Sequence, residues 1–146
     1  EKDGPLVNAV YNQLMEPTSY SQIDRGEPYG PDAASRSPFL FELREYQAMP
    51  GKIQNITDRF GNFTCAAFKK HGFRQVGYWH NVFGGNSNEL IYLLAWQTLD
   101  ERVSKFDTFA KDPERARAFA ESEKNGPIVQ QVRNMILRPT GFSPMK

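Results

Sequence analysis

The feature that most constrains this fold is the order in which strand-like and helix-like segments follow one another along the chain. The first segment alternates: Phe41 and Leu43 fall on one side of a strand, and Glu42, Arg44 and Tyr46 fall on the other. A helix of about twenty residues is predicted next, because its stripe recurs at steps of three and four. The stripe consists of Ile53, Ile56, Phe60, Phe63, Ala67 and His71.

A hairpin is predicted after this helix. Residues 74–83 are rich in aromatic and β-branched residues, and residues 89–96 have the composition of a second strand. The loop between them consists of glycine, asparagine and serine, which favours an antiparallel hairpin.

Capping signals mark a second helical region. Thr98 and Glu101 have the spacing of a capping box, and Asp112 is expected to cap a further helix. The buried stripe of the first of these two helices is expected to comprise Val103, Phe106, Phe109 and Ala110. A last strand is predicted over residues 129–137.

The order β-α-β-β-α-β predicts an α+β fold of the ferredoxin-like kind, with a four-stranded antiparallel sheet and the helices on one face. If Phe41 and Leu43 face the helices, the alternate residues face the other way. The residues predicted on that other face are Glu42, Arg44, Tyr46, Gly77, Trp79, Asn81, Leu90, Tyr92, Leu94 and Trp96. For the last strand, either Asn134 and Ile136 or their neighbours point to that side.

A sheet face that carries Tyr46, Trp79, Tyr92 and Trp96 is too apolar to remain in water. The sequence therefore predicts that the chain pairs with a second copy of itself, face to face, as a dimeric α/β barrel. The predicted partner is self, as a homodimer or a higher assembly of dimers.

The first part of the chain differs in composition. Residues 1–38 contain no phenylalanine and many turn-forming residues, and we interpret them as an N-terminal arm that precedes a domain over residues 39–146. A short helix is predicted at residues 5–15, followed by an irregular segment. The arm either lies on the surface, or wraps the partner subunit, or covers the mouth of a pocket with Tyr20 or Tyr29.

Four stretches, in order, resemble the NIPSNAP family. They are residues 41–52, the segments around Val76-Gly77-Tyr78-Trp79 and Asn88-Glu89-Leu90, the run from Ala95 to Arg102, and the ending Asn134-Met135-Ile136-Leu137-Arg138-Pro139 with Thr140-Gly141-Phe142-Ser143-Pro144. Two features depart from the family pattern. Tyr92 stands where many members have a histidine, and the arm has no counterpart in the short members.

The resemblance implies the dimeric α/β barrel fold. That group of proteins includes cofactor-free monooxygenases of aromatic polyketides, haem-degrading and haem-dependent enzymes, isomerases and lyases. Its eukaryotic NIPSNAP members are linked to mitochondria and to vesicle or mitophagy signalling. A fold alone does not choose among these activities.

The candidate site consists of polar and aromatic residues on the strands. Glu42, Arg44 and His80 are the candidate catalytic residues: Glu42 as a base, Arg44 as a group that binds an anion or carbonyl. Alternatively, Glu42 and Arg44 simply pair with each other, and His80 is a hydrogen-bonded structural residue. The candidate ligand-binding residues are Tyr46, Trp79, Asn81, Tyr92, Trp96 and Asn134.

Composition argues against several other classes of protein. The net charge is +1 and there is no basic block, so no nucleic acid partner is expected. No apolar run has the length of a membrane span. Cys65 is the single cysteine, which excludes a disulfide within this chain and a cysteine-rich zinc cluster. We expect no metal and no cofactor, and a cytoplasmic location.

Two functions remain open at this stage. One is the binding of a small aromatic or carbonyl-containing molecule in the barrel cavity, with or without catalysis of the cofactor-independent oxygenase, isomerase or lyase type. The other is a non-catalytic interaction or signalling protein. The first predicts a closed cavity large enough for a bicyclic ligand, and the second predicts a barrel filled by its own side chains.

Overall fold

The computed structural model describes residues 4, 6–21, 39–143 and 145. Five strands and four α-helices lie in this part of the chain, and a π-helical turn joins the first two helices. The strands are β1 (Leu14–Pro17), β2 (Leu40–Ala48), β3 (Arg74–Phe83), β4 (Glu89–Trp96) and β5 (Val129–Leu137). The helices are α1 (Ile53–Arg59), the π-turn (Phe60–Thr64), α2 (Cys65–Lys70), α3 (Leu99–Ala110) and α4 (Pro113–Ser122).

The strands form one antiparallel sheet in the order β1-β3-β4-β2-β5. Strand β2 is hydrogen-bonded to β4 on one side and to β5 on the other, although β5 comes last in the chain. An α+β fold with this element order from β2 onward is therefore confirmed.

The sheet has a fifth strand that the sequence analysis did not predict. β1 pairs with the outer edge of β3, with Glu16 opposite His80 and Pro17 opposite Trp79. The helix predicted at residues 5–15 is wrong, because the described residues 6–13 contain no helix. Leu6, Val10 and Leu14, which recur every four residues, are all largely exposed and have nothing to pack against. A short unpacked helix is marginal in water.

The predicted long helix is present and contains one wide turn. The hydroxyl of Thr64 donates to the carbonyl of Arg59, five residues earlier, at 3.3 Å. Gly72 follows the helix with φ +72°, a left-handed conformation that glycine commonly adopts just after a helix C-terminus. π-Turns often occur at functional sites.

For β2 and β4, the helices cover the sheet face that was predicted to meet a second sheet. Large aromatic rings of the sheet interlock with those of the helices: the Tyr92 ring lies 5.1 Å from Phe60, and the Trp96 ring lies 5.1 Å from Phe73. The predicted orientation of β2 and β4 is therefore wrong. The physical reason is that the widest apolar side chains, and not the shorter Ile91, Leu93 and Ala95, fill the thick layer beneath the helices.

The opposite face carries a smaller apolar cluster, with Phe39, Phe41, Val76 and Ala95 at its centre. Val76 is on this side because the register between β3 and β4 shifts between Gln75 and Gly77. Three of the four aromatic residues that led to the predicted dimer lie under the helices instead, and Trp79 alone alternates to the opposite face.

The predicted caps of α3 and α4 are confirmed. The backbone N–H of Glu101 donates to Thr98 Oγ1 at 3.0 Å, and that of Glu114 donates to Asp112 Oδ1 at 2.8 Å. Val103 is 61% exposed and Ala110 is also exposed, so neither belongs to the buried stripe of α3 as predicted. Among the described residues, no helix is long and apolar enough to cross a membrane.

Candidate functional site

The carboxylate of Glu42 lies fully buried beneath α3 and accepts five hydrogen bonds. Arg102 of α3 donates through Nε and Nη2, each at 2.8 Å, and Arg44 Nη1 donates at 2.7 Å. Trp96 Nε1 donates at 3.0 Å and Asn134 Nδ2 at 3.1 Å. Alternation on β2 and β4 and the pairing of β2 with β5 bring these side chains to one place.

These donors keep Glu42 ionised. Burial acts to raise the pKa of this carboxyl, but the hydrogen bonds and charges of Arg102 and Arg44 outweigh burial and lower it below its usual value. Because both oxygens are fully used by donors, the geometry is that of a structural anion shared by two arginines. It offers no free lone pair to a substrate proton.

Arg44 connects this anion to two tyrosines. Its Nε donates to the Tyr92 hydroxyl at 2.8 Å and its Nη2 donates to the Tyr46 hydroxyl at 3.3 Å. The guanidinium also lies 4.9 Å from the centre of the Phe106 ring. Burial raises the pKa of Tyr92 well above its usual value, so this hydroxyl stays protonated at neutral pH.

A cavity of about 150 Å³, which we call the aromatic chamber, lies between the sheet and the helices beside Arg44. Every helical segment except α1 contributes to its wall, and the π-turn supplies two of the lining side chains. The lining residues are Arg44, Tyr46, Phe60, Thr64, Phe68, Phe106, Phe109, Ala110, Arg115 and Phe119. The wall is therefore mostly aromatic, with a cation on the sheet side and another on α4.

Arg115 is the cation on α4. Its guanidinium lies over the rings of Phe119 and Phe109, at 4.2 and 5.3 Å from their centres. Its Nε is buried and has no hydrogen-bond partner. Stacking on rings holds the guanidinium in place but satisfies none of its N–H donors.

Six of the predicted site residues meet in one network. Glu42, Arg44, Tyr46, Tyr92, Trp96 and Asn134 lie together on the helix side of the sheet. Of these, Arg44 and Tyr46 line the aromatic chamber. The network lies beneath the helices of one chain, not on the face predicted to meet a second sheet.

The other three predicted site residues lie elsewhere. His80 contacts the Thr57 hydroxyl of α1 at 3.1 Å and the Glu89 carbonyl at 3.1 Å. Asn81 donates to the Asn86 carbonyl at 3.0 Å, inside the hairpin loop. None of these side chains, nor that of Trp79, lines the chamber.

Arg102 and Arg115 were not among the residues predicted from the sequence. Arg102, Phe106 and Phe109 recur at helical spacing, so an arginine inside the stripe of α3 was a readable signal. Arg115 lies four residues before Phe119, a spacing that puts both side chains on one face of α4. Among the described residues, no group of three or more histidine, cysteine, aspartate or glutamate side chains is placed to hold a metal ion.

Tyr29 falls outside the described residues, whereas Tyr20 packs against the outside of the π-turn. A β-carbon added at Gly61 would lie 2.9 Å from the Tyr20 ring, and that ring lies 5.4 Å from Tyr78. Tyr20, which follows β1, therefore packs on the π-turn whose residues Phe60 and Thr64 line the chamber.

Three solved structures with the same fold come from Agrobacterium tumefaciens and Burkholderia xenovorans. A NIPSNAP family protein of unknown function from Agrobacterium tumefaciens is 23% identical, with a TM-score of 0.65 over 75% of this chain and 95% of that one. A second family protein from this organism is 22% identical, with a TM-score of 0.67 over 76% of this chain and 94% of that one. An uncharacterised NIPSNAP-like domain protein from Burkholderia xenovorans is 23% identical, with a TM-score of 0.64 over 73% and 89%.

No curated protein matches the chain. The family model for NIPSNAP matches residues 41–144, which begins in β2 and includes both helical regions and β5. This range contains every residue of the Glu42 network and of the aromatic chamber. The chain therefore belongs to the NIPSNAP family.

Proposed function

We propose that this protein binds a small aromatic or carbonyl-containing molecule in the aromatic chamber. The proposal rests on one observation: the aromatic cavity is lined by a cationic donor group, Arg44, which Glu42 holds in place. Small-molecule sites are commonly apolar cavities with a few fixed polar groups. Among the described residues the chamber is the cavity in which these features coincide.

The volume limits the ligand to one ring. An apolar cavity of about 150 Å³ accommodates a benzene-sized molecule, and the chamber measures about 150 Å³. We therefore replace the expected bicyclic ligand with a monocyclic one. Phe60, Phe106 and Phe119 supply ring surfaces for stacking or edge contacts.

Any catalysis in this chamber would depend on stabilising negative charge. Its wall contains no carboxylate, imidazole or thiol among the described residues, whereas Arg44 and Tyr46 are donors at its sheet side. Fixed donors stabilise the charge that develops on a carbonyl oxygen in a transition state. This favours an isomerase, lyase or cofactor-independent oxygenase acting on a substrate that is acidic itself.

The proposal is tested with a panel of single-ring carbonyl compounds in thermal-shift and calorimetric titrations. Ala110→Phe places a ring at the chamber wall, and Ala116→Phe places the same ring on α4 outside the chamber; both alanines are exposed. We expect the first variant to lose binding and the second to retain it. No binding by the wild-type protein, or equal binding by both variants, would contradict the proposal and favour an interaction protein.

We further propose that a second copy of the chain covers β5. This strand is an edge of the sheet, and Val132, Met135, Ile136 and Leu137 are 39–48% exposed along it. An apolar edge strand presents free backbone groups to another chain. Sedimentation is expected to show a dimer that Leu137→Lys weakens, whereas Val103→Lys, at an exposed apolar site on α3, has no effect; a wild-type monomer would overturn this proposal.

A further inference from the structure

We infer that the ligand of the aromatic chamber is an anion, with one carboxylate or phenolate group on a single ring. This inference rests on the proposed function and specifies the class of molecule that the chamber accepts. It is carried by the balance of charges around the chamber and by the unsatisfied donor of Arg115.

The buried network has more positive than negative charge. Arg44 and Arg102 share the single carboxylate of Glu42, and the side chains of the three are 12%, 23% and 0% exposed. The other partners, Asn134 and Trp96, are neutral. One positive charge is therefore left uncompensated in a region with little water, where an opposite charge is attracted strongly.

Arg115 adds a second positive charge from the other side of the chamber. The acidic residues of α4 and of its two ends are engaged elsewhere: Asp112 with His71 and Lys70, Glu114 with Lys70, Glu121 with Lys124, and Glu123 with Arg59. These pairings leave Arg115 without a carboxylate partner among the described residues. Its buried Nε is a donor with no acceptor.

An anionic ring satisfies both features at once. Its charged group accepts hydrogen bonds from a guanidinium, which matches the geometry of a carboxylate better than other cations do. Its ring lies among Phe106, Phe109 and Phe119. A neutral amide of the same shape offers Arg115 only an uncharged acceptor, and hydrogen bonds between charged partners are roughly twice as strong.

The experiment compares benzoate with benzamide, which have the same shape and differ in charge. Calorimetric titration of the full chain is expected to give at least a tenfold tighter dissociation constant for benzoate. In Arg115→Gln we expect this preference for benzoate over benzamide to shrink to less than about threefold. Arg117→Gln, an exposed site on the same helix, is the matched control and is expected to behave as wild type.

A second probe reports the charge of the bound molecule directly. 4-Nitrophenol absorbs visible light only as its anion, so protein added at a pH equal to the pKa of the free phenol is expected to increase the absorbance. A decrease would show that the chamber selects the neutral form, and would overturn the inference.

The outcomes separate this inference from the proposed function. If benzamide binds as tightly as benzoate, the chamber is a ligand site but not an anion site, and the inference is wrong. If neither compound nor the wider panel of single-ring carbonyls binds, the proposed function fails as well. Equal loss of preference in Arg115→Gln and Arg117→Gln would mean that overall charge, not Arg115, is responsible, and would also overturn it.

Discussion

Arg102 on α3 donates hydrogen bonds to both carboxylate oxygens of Glu42 on β2, with Nε 2.8 Å from Oε2 and Nη2 2.8 Å from Oε1. Paired bonds of this kind fix orientation as well as distance. The bidentate pair of Arg102 and Glu42 therefore fixes the orientation of α3 across the sheet. Phe106 and Phe109, which follow Arg102 on α3, are thereby held against the chamber.

Replacing Glu42 with glutamine is expected to destabilise the protein by about 3–5 kcal/mol, because two buried arginines lose their shared anion. The measurement is urea unfolding at neutral pH. Glu45→Gln is the matched control on the same strand: its partner Arg133 is 56% exposed, so we expect a loss of about 1 kcal/mol or less. Similar losses in the two variants would contradict a central role for Glu42.

Lowering the pH should reduce the free energy of unfolding, and part of this reduction should come from Glu42. Its pKa is lower in the folded protein than in the unfolded chain, so the folded state binds fewer protons. The resulting stability is fully present above the unfolded-state pKa of about 4.3 and is lost as the pH falls through the lower folded-state pKa.

The urea midpoint measured over this acid range is expected to fall less steeply in Glu42→Gln than in the wild type. A residual slope should remain, because the hydrogen bond from His71 and that from the backbone of Glu114 also lower the pKa of Asp112. Parallel slopes for the two proteins would show that Glu42 contributes nothing to acid sensitivity.

Cys65 is expected to react slowly with thiol reagents while the protein is folded. Burial raises the pKa of its thiol to about 11, although a hydrogen bond with Tyr78 opposes that increase. The thiolate, which is the reactive form, is therefore scarce at neutral pH. The rate of modification at pH 8 should rise many-fold in denaturant, and an equally fast reaction of the folded protein would be inconsistent with this burial.

The contact between Tyr20 and Gly61 should determine the sign of the stability change that Gly61→Ala causes. Alanine at Gly61 meets the Tyr20 ring at 2.9 Å and displaces it, so Gly61→Ala is expected to destabilise the wild-type protein. In a Tyr20→Ala background the same change should stabilise by about 0.5–1 kcal/mol, because alanine favours helix over glycine. An equal effect in both backgrounds would show that Tyr20 does not pack on the π-turn.

Local patterns predicted the elements well, because they depend on neighbours in the chain. The hydrogen bonds that cap α3 and α4 at Thr98 and Asp112 occur as their spacing indicates. The helix predicted in the arm fails for the opposite reason: nothing in a local pattern shows whether Leu6 and Val10 have a surface to pack on.

The orientation of β2 was not predictable from its alternation. A carboxylate at Glu42 suggests a polar side, and its burial under α3 becomes favourable only through Arg102, which is 60 residues away in the sequence. For the same reason, the network that six of the nine predicted site residues form lies on the opposite side of the sheet from the face predicted to hold the site. Arg115 was missed because its importance comes from what it lacks, a partner for Nε.

The most direct test of a ligand site between the sheet and the helices is an amide-resolved NMR titration of the full chain with benzoate and with benzamide. We expect the largest shifts at Ala110, Arg115 and Phe119, which line the chamber, and little change at Leu93 and Leu137 on the opposite face. Shifts concentrated at Leu93 and Leu137, or no shifts with either compound, would contradict it.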